Sequence, residues 1–270
     1  MTTGQLSPKT SSAAAEIAPD LEYTGERLVP GKIGEVLFRE HEERYVFAAQ
    51  YVAGKDVIDV ACGAGIGTSL LLHAGAHSVL GLDIDQDAIA YAKARYRDCR
   101  FAECDARSLC LPDESVDLVV SFETLEHLRE QDKFLNECRR VLRPGGRFIC
   151  STPNLAISRW SAGNPHHVRE FYPGEFSDLV GSVFPCLELF AQRNRMLPFY
   201  AARKFIRRRL DEFGYRGSID RVLRLRSQSE TFRSEFVNDA SRVRRSIVAY
   251  KRGIFREPIF LIAVARNTPT

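Results

Sequence analysis

The chain has 270 residues, 44% of them hydrophobic, enough to build one large core or two modest ones. Its net charge is only +3, yet residues 195–256 hold 17 Lys and Arg against 6 Asp and Glu, a surplus of +11 that leaves −8 for the remainder. No apolar run exceeds eight residues, far below the roughly 20 of a spanning helix; the seven cysteines are odd in number and lack C-x-x-C spacing, and with no secretory-type leader ahead of them they argue for a reducing cytoplasm and against a disulfide scaffold or zinc ribbon.

Residues 1–22 are rich in Ser, Thr, Ala and Pro, too poor in large apolar groups to offset the entropy of ordering, and are expected to be a disordered tail. Residues 23–55 form a lid and a packed helix, carried by Tyr45, Val46, Phe47, Ala49, Tyr51 and Val52. β-branched runs then alternate with amphipathic ones: strands at 56–61, 78–83, 99–103, 116–122 and 147–151, with helices at 65–75, 86–96 and 130–142 between them. A helix at 173–183 and a strand at 186–194 follow, and the last strand is at 258–266. Such alternation predicts an α/β fold, a doubly wound, mostly parallel seven-stranded sheet with helices on both faces. Residues 56–194 and 257–267 make that domain, and the basic segment 195–256 reads as a helical insertion before the last strand.

The first strand runs into "ACGAGIG", with Gly63, Gly65 and Gly67. In a doubly wound sheet this loop lies at the ligand crevice, although glycines at that place also serve a tight βα turn. Asp83 ends the second strand 20 residues after Gly63, where a carboxylate can accept from both ribose hydroxyls. The spacing is G-x-G-x-G rather than the G-x-G-x-x-G of a dinucleotide site, which tells against an NAD dehydrogenase. Asp59 inside the strand would repel a pyrophosphate but suits a cationic ammonium group, so the ligand reads as adenosine joined to an amino acid.

These stretches resemble the class I S-adenosylmethionine-dependent methyltransferases. "VIDVACGAGIG" is similar to their first motif, "GLDID" to their second-strand acid, "AECDARSLCLPDESVDLVVSFETLEHL" to their third and fourth strands, and "RVLRPGGRFICSTPN" to their fifth. Ala61 stands where many relatives have glycine, and slight crowding is expected from its methyl group. The resemblance implies S-adenosylmethionine as cofactor: the 63–67 backbone against the methionine part, Asp83 on the ribose, Ile84 against the adenine ring, Asp105 on the adenine amino group with Ala106 beside it, and Phe122 and Glu123 on the methyl side. For Asp105, a loop-capping role is the alternative.

Methyl transfer from a sulfonium is an in-line displacement, and an unactivated hydroxyl acceptor calls for a nearby base or a metal ion. "ETLEHL" supplies Glu123, Glu126 and His127 at i, i+3 and i+4, on one face if the chain turns helical directly after the strand. The pattern is similar to the E-x-x-E-H of ubiquinone-pathway O-methyltransferases, in which a divalent metal is implied; a purely structural role is the other alternative, and metal binding is the lesser reading. "NPHHVREFYPGEF" (164–176) resembles the N-P-x-H-x-x-E-F segment of bacterial saccharide-pathway methyltransferases, in which the histidine is implied to face the acceptor, and it offers His166, His167, Glu170 and Tyr172 as candidates, with His166 taken as a catalytic one. "YTGERLVPG" and "EHEERYVFA" are similar to that subgroup's lid, with Arg27 and Arg44 near the donor carboxylate or the acceptor.

The expected activity is methylation of a hydroxyl, less readily an amine, on a saccharide or other small metabolite in the cytoplasm. A non-catalytic basic protein on the same fold is the competing class. For residues 196–210, where apolar and basic side chains interleave, a solvated cap over the acceptor pocket competes with peripheral contact at the inner membrane face, and nucleic acid ranks last.

Overall fold

A computed structural model of the protein describes residues 21–22, 27, 29, 31–159, 164–192, 247–250 and 258–268. The expected tail over 1–20 and most of the expected insertion, including 196–210, lie outside the described residues. Leu21, at the end of the stretch read as tail, is buried against Val29 and Ala64.

Helix α1 (Glu35–Ala49) precedes the alternating series β1 (Asp56–Val60), α2 (Ile66–His73), β2 (Ser78–Asp83), α3 (Gln86–Arg95), β3 (Arg100–Glu103), β4 (Val116–Phe122), a 3-10 turn (Leu125–His127), α4 (Gln131–Val141) and β5 (Leu142–Pro153). The short α5 (Leu155–Ser158), then α6 (Pro173–Val183), β6 (Cys186–Gln192), β7 (Ile247–Ala249) and β8 (Phe260–Arg266) complete it. All strands join one sheet in the order β3-β2-β1-β4-β5-β8-β6-β7. The first five run parallel, and β8 is antiparallel to both β5 and β6. The inner strands "DVIDV" and "VDLVVSF" are buried nearly throughout, as strands covered by helices on both faces must be.

The sheet has eight strands where seven were expected. The additional one, β7, pairs antiparallel with β6 through Gln192↔Ile247 and Phe190↔Ala249, and it falls inside the segment read as helical. "IVAY" is a β-branched run with Ile247 buried. Its three residues are too short for periodicity to stand out among basic neighbours.

Two apolar layers flank the sheet. One joins α4 and α6 to β4, β5 and β8 through Phe134, Leu135, Phe148, Phe176 and Leu261. The other joins α1 and α2 to the opposite face through Tyr45, Ala48, Leu71, Phe122 and Ile262. No helix among the described residues is long and apolar enough to cross a membrane.

Candidate active site

From β1 the chain moves outward through β2 and β3 and then returns to β4 on β1's other side, so the order reverses between β1 and β4. A ligand crevice opens beyond the carboxyl ends of strands at such a reversal. Ala61, Gly63, Asp83, Ile84, Phe122 and Glu123 all sit at those ends.

The three loop glycines divide by role. A Cβ on Gly65 would stand 2.7 Å from Ala92 Cβ and 2.8 Å from the Phe101 ring, and one on Gly67 would stand 1.9 Å from Tyr45 Cζ. Both are demanded by the packing of α3, β3 and α1. Gly63, at φ +53°, has only Arg27 Cβ, at 3.8 Å, near its Cβ position among the described residues, so of the three glycines it is the one whose backbone these residues leave uncovered. Ala61 adopts φ +59°. An alanine therefore stands where the backbone is left-handed, a conformation that glycine adopts at lower cost.

Asp83 braces the loop. One carboxylate oxygen accepts from the Gly63 N–H at 2.8 Å and the other from the Asp85 N–H at 2.9 Å. Burial pushes its pKa up, against the pull of those two amides. Next to it Ile84 is 62% exposed, a large apolar side chain presented to the space where an adenine ring was expected. Asp85 caps α3 by accepting from the Ala88 N–H at 2.8 Å and pairs with Arg27 of the lid.

Asp59 lies beneath the loop, fully buried. Its oxygens accept from Tyr45 Oη at 3.0 Å and Thr68 Oγ1 at 2.7 Å, and burial raises its pKa from 3.8 to about 7. It thus ties α1 and α2 to β1, with both oxygens already engaged by protein donors. Asp105 is held by Arg107, whose Nη2 lies 2.7 Å from Oδ2 and whose backbone N–H lies 2.8 Å from Oδ1. Those hydrogen bonds keep the carboxyl below its usual pKa, an arrangement that caps the loop. Ala106 packs against the main core beside it.

At the end of β4, Phe122 is buried edge-on to Tyr45, with ring centroids 4.9 Å apart, and His41 is 6.5 Å away. Arg44 is fully buried, donates to Gln192 Oε1 at 2.9 Å and lies 2.8 Å from His41 Nδ1. An arginine can only donate, so Nδ1 accepts and His41 is kept as the Nε2–H tautomer. Its pKa is driven well down by burial, then by the Arg44 charge.

The one-face arrangement of Glu123, Glu126 and His127 is corrected. Glu123 turns left-handed at φ +55°, and the 3-10 turn starts only at Leu125. Glu123 Oε1 therefore accepts from Ser151 Oγ at 2.6 Å, while Glu126 is buried completely with Oε2 accepting from Thr152 Oγ1 at 3.1 Å and Oε1 without a hydrogen-bond partner among the described residues. Burial, then the nearby Glu123 charge, raises the Glu126 pKa strongly.

The 164–172 segment docks on this turn. The Val168 and Arg169 N–H groups donate to the Glu126 carbonyl at 2.7 and 3.1 Å, and Phe171 bridges to Asn154. His167 thereby stands edge-on to His127 with centroids 4.8 Å apart. Glu126, His127 and His167 each bring one donor atom within 4.8 Å of the others. His166 is exposed, and it reaches His127 through its backbone carbonyl, 3.1 Å from Nδ1. Tyr45 and His41 are the site's additional members, while His167 was already among the candidates of the 164–176 segment. The i, i+3, i+4 spacing of His41, Arg44 and Tyr45 in "EHEERY" was the signal available for Tyr45 and His41.

Residues 58–150 match a methyltransferase domain family. A "Probable S-adenosylmethionine-dependent methyltransferase" of Mycolicibacterium smegmatis is 43% identical over 164 residues, 59% of this chain and 63% of that protein. A protein of the same description from Mycobacterium tuberculosis is 36% identical over 181 residues, 66% of this chain and 65% of the other. The chain thus spans less than two thirds of the length of these relatives. In the fold, a chain of the Haloferax volcanii complex between the Trm112 methyltransferase activator and a methyltransferase aligns with a TM-score of 0.56 at 18% identity, covering 87% of this chain and 93% of its own. Sheet order, loop geometry and these likenesses agree: residues 58–150 match a methyltransferase domain family on a methyltransferase fold, in a chain similar to S-adenosylmethionine-dependent methyltransferases.

Proposed function

We propose that the protein transfers the methyl group of S-adenosylmethionine to a hydroxyl of a saccharide or another small metabolite. The observation that supports the donor site is the Asp83 carboxylate at the end of β2, bracing the loop glycine that the described residues leave uncovered, next to an exposed Ile84. Asp83 would accept from the ribose, Ile84 would lie under the adenine, and Phe122 would shield the methyl side from water. With the sulfonium already activated, the chain's task is alignment of the acceptor oxygen and removal of its proton.

The choice of a hydroxyl rests on Glu126, His127 and His167, clustered next to the strand end that carries Phe122 and Glu123. An imidazole there can take the proton as attack proceeds, whereas a neutral amine would need no such group. Calorimetry with S-adenosylhomocysteine tests the donor site. Asp83→Ala is expected to weaken binding by about tenfold or more, the worth of a charge-assisted hydrogen bond; undiminished binding would remove the reading. For the acceptor, labelled methyl transfer into cell extracts followed by product identification is expected to yield a methyl ether. His127→Ala should lower turnover by about 100-fold or more with donor affinity retained, and a methylated amine would overturn the hydroxyl assignment.

A further inference from the structure

The loop after β3 is wound around a sulfur atom. Cys104 follows the strand directly and is buried, and its N–H donates to the Asp83 carbonyl at 2.9 Å. Its Sγ accepts from the Cys110 N–H at 2.9 Å and lies 3.7 Å from the Ser108 carbonyl oxygen and 3.9 Å from that of Asp105. Within the loop the Ser108 N–H returns to the Asp105 carbonyl at 2.9 Å. The thiol thus gathers the short segment that carries Asp105 and Ala106, and its own backbone is tied to Asp83.

Cys110 is exposed, and its side chain meets that of Cys104 as its N–H does. Its position is fixed from outside the loop. The Leu109 N–H donates to Glu137 Oε2 at 2.8 Å, and Arg140 donates to the Leu109 and Leu111 carbonyls, on either side of Cys110, at 2.9 and 2.8 Å. Burial, then the hydrogen bond with the Cys110 side chain, pushes the Cys104 thiol up to about 11, so the inner sulfur keeps its proton. Neither cysteine is in a disulfide. An accessible sulfur that meets an oxidant, held next to a sheltered one that can resolve it, is the arrangement of a redox-sensing pair.

We infer that Cys104 and Cys110 form a reversible disulfide under peroxide and that this cross-link weakens the adenine end of the donor site; the consequence, though not the cross-link, rests on the donor-site reading given above. The Cys110 thiolate attacks a peroxide oxygen, the O–O bond breaks, and the departing hydroxide takes up the proton that the thiol released. The Cys104 sulfur then attacks the sulfenic sulfur of Cys110, the S–O bond breaks, and the hydroxyl leaves as water with the Cys104 proton. The thiol pair is oxidised to a disulfide and the peroxide is reduced to water. Because the N–H···S contact already closes the loop, little further chain entropy opposes the bond. Once it forms, Cys104 has no S–H to offer the Ser108 and Asp105 carbonyls, and its sulfur is drawn off the Cys110 N–H, so the turn that presents Asp105 must shift. A small thiol reopens the bond by exchange, as a reducing compartment requires.

The full chain, reduced and freed of small thiols, is treated with hydrogen peroxide, digested with trypsin and weighed by mass spectrometry. Trypsin cuts after Arg107 and so separates residue 104 from residue 110; the two peptides are expected to stay joined after peroxide and to part again with dithiothreitol. Cys110→Ser, a change at an exposed side chain, should leave them separate, whereas Cys186→Ser, at the other exposed cysteine, should join them as wild type does. Calorimetry reads the consequence. Peroxide should weaken S-adenosylhomocysteine binding to wild type by about tenfold, the worth of one hydrogen bond to the Asp105 carboxylate, with dithiothreitol restoring it, and should leave Cys110→Ser binding as tightly as before. Peptides that never join, Cys110 joined to another cysteine instead, or equal affinity before and after the cross-link would each overturn the inference. A reduced wild type that fails to bind S-adenosylhomocysteine counts against the donor site alone, and the joined peptides still decide the cross-link.

Discussion

Two residues under the loop set much of its energetics. Ala61 holds φ +59°, which costs an alanine about 1 kcal/mol or more relative to glycine. Ala61→Gly is therefore expected to stabilise the fold by about 0.5–1 kcal/mol in denaturant unfolding. Asp59 makes a pH-dependent contribution of definite sign. Its folded pKa is raised from 3.8 to about 7, so between those values the folded state binds the proton and the unfolded state does not. Stability from this group is complete below about pH 4 and declines as pH rises through about 7. Unfolding of Asp59→Asn, followed between pH 4 and pH 8, should show a flatter dependence than wild type, and an equal slope would assign the dependence elsewhere.

Among the elements, α1 is more than a cover. Tyr45 lies against the face of Gly67 and donates to Asp59, so a methyl group at position 67 must push the ring off both. Gly67→Ala is expected to destabilise by about 1–3 kcal/mol, the range for overpacking, and Tyr45→Ala should relieve part of it, giving a less than additive double mutant. The sequence was legible where the signal is local: strands buried on both faces read as apolar runs, and Asp83 ends β2 with Ile84 directly after it, where the spacing put them. It was silent where contacts join distant segments. Nothing near Gly67 in the chain announces Tyr45, and the adjacency of His166 and His167 does not say which ring turns toward His127. That choice is made by two N–H groups docking on the Glu126 carbonyl. β7 escaped because three residues carry no period.

Across the whole molecule, the order reversal between β1 and β4 gathers the site from stretches far apart in the chain, while the charge is divided, +11 in 195–256 against −8 elsewhere. If the basic segment meets anionic membranes, replacing Arg207, Arg208 and Arg209 with Glu should abolish salt-sensitive cosedimentation with phosphatidylserine vesicles and spare S-adenosylhomocysteine affinity. Retained cosedimentation would exclude these arginines as the contact.

The meeting of Tyr45 with Gly67 limits how far this protein can be treated as interchangeable parts. An engineer grafting the entry region of a relative to redirect acceptor choice would also replace the ring that seats the donor loop. Selectivity for one substrate and affinity for the other should therefore drift together in such chimaeras unless the aromatic at position 45 is carried over.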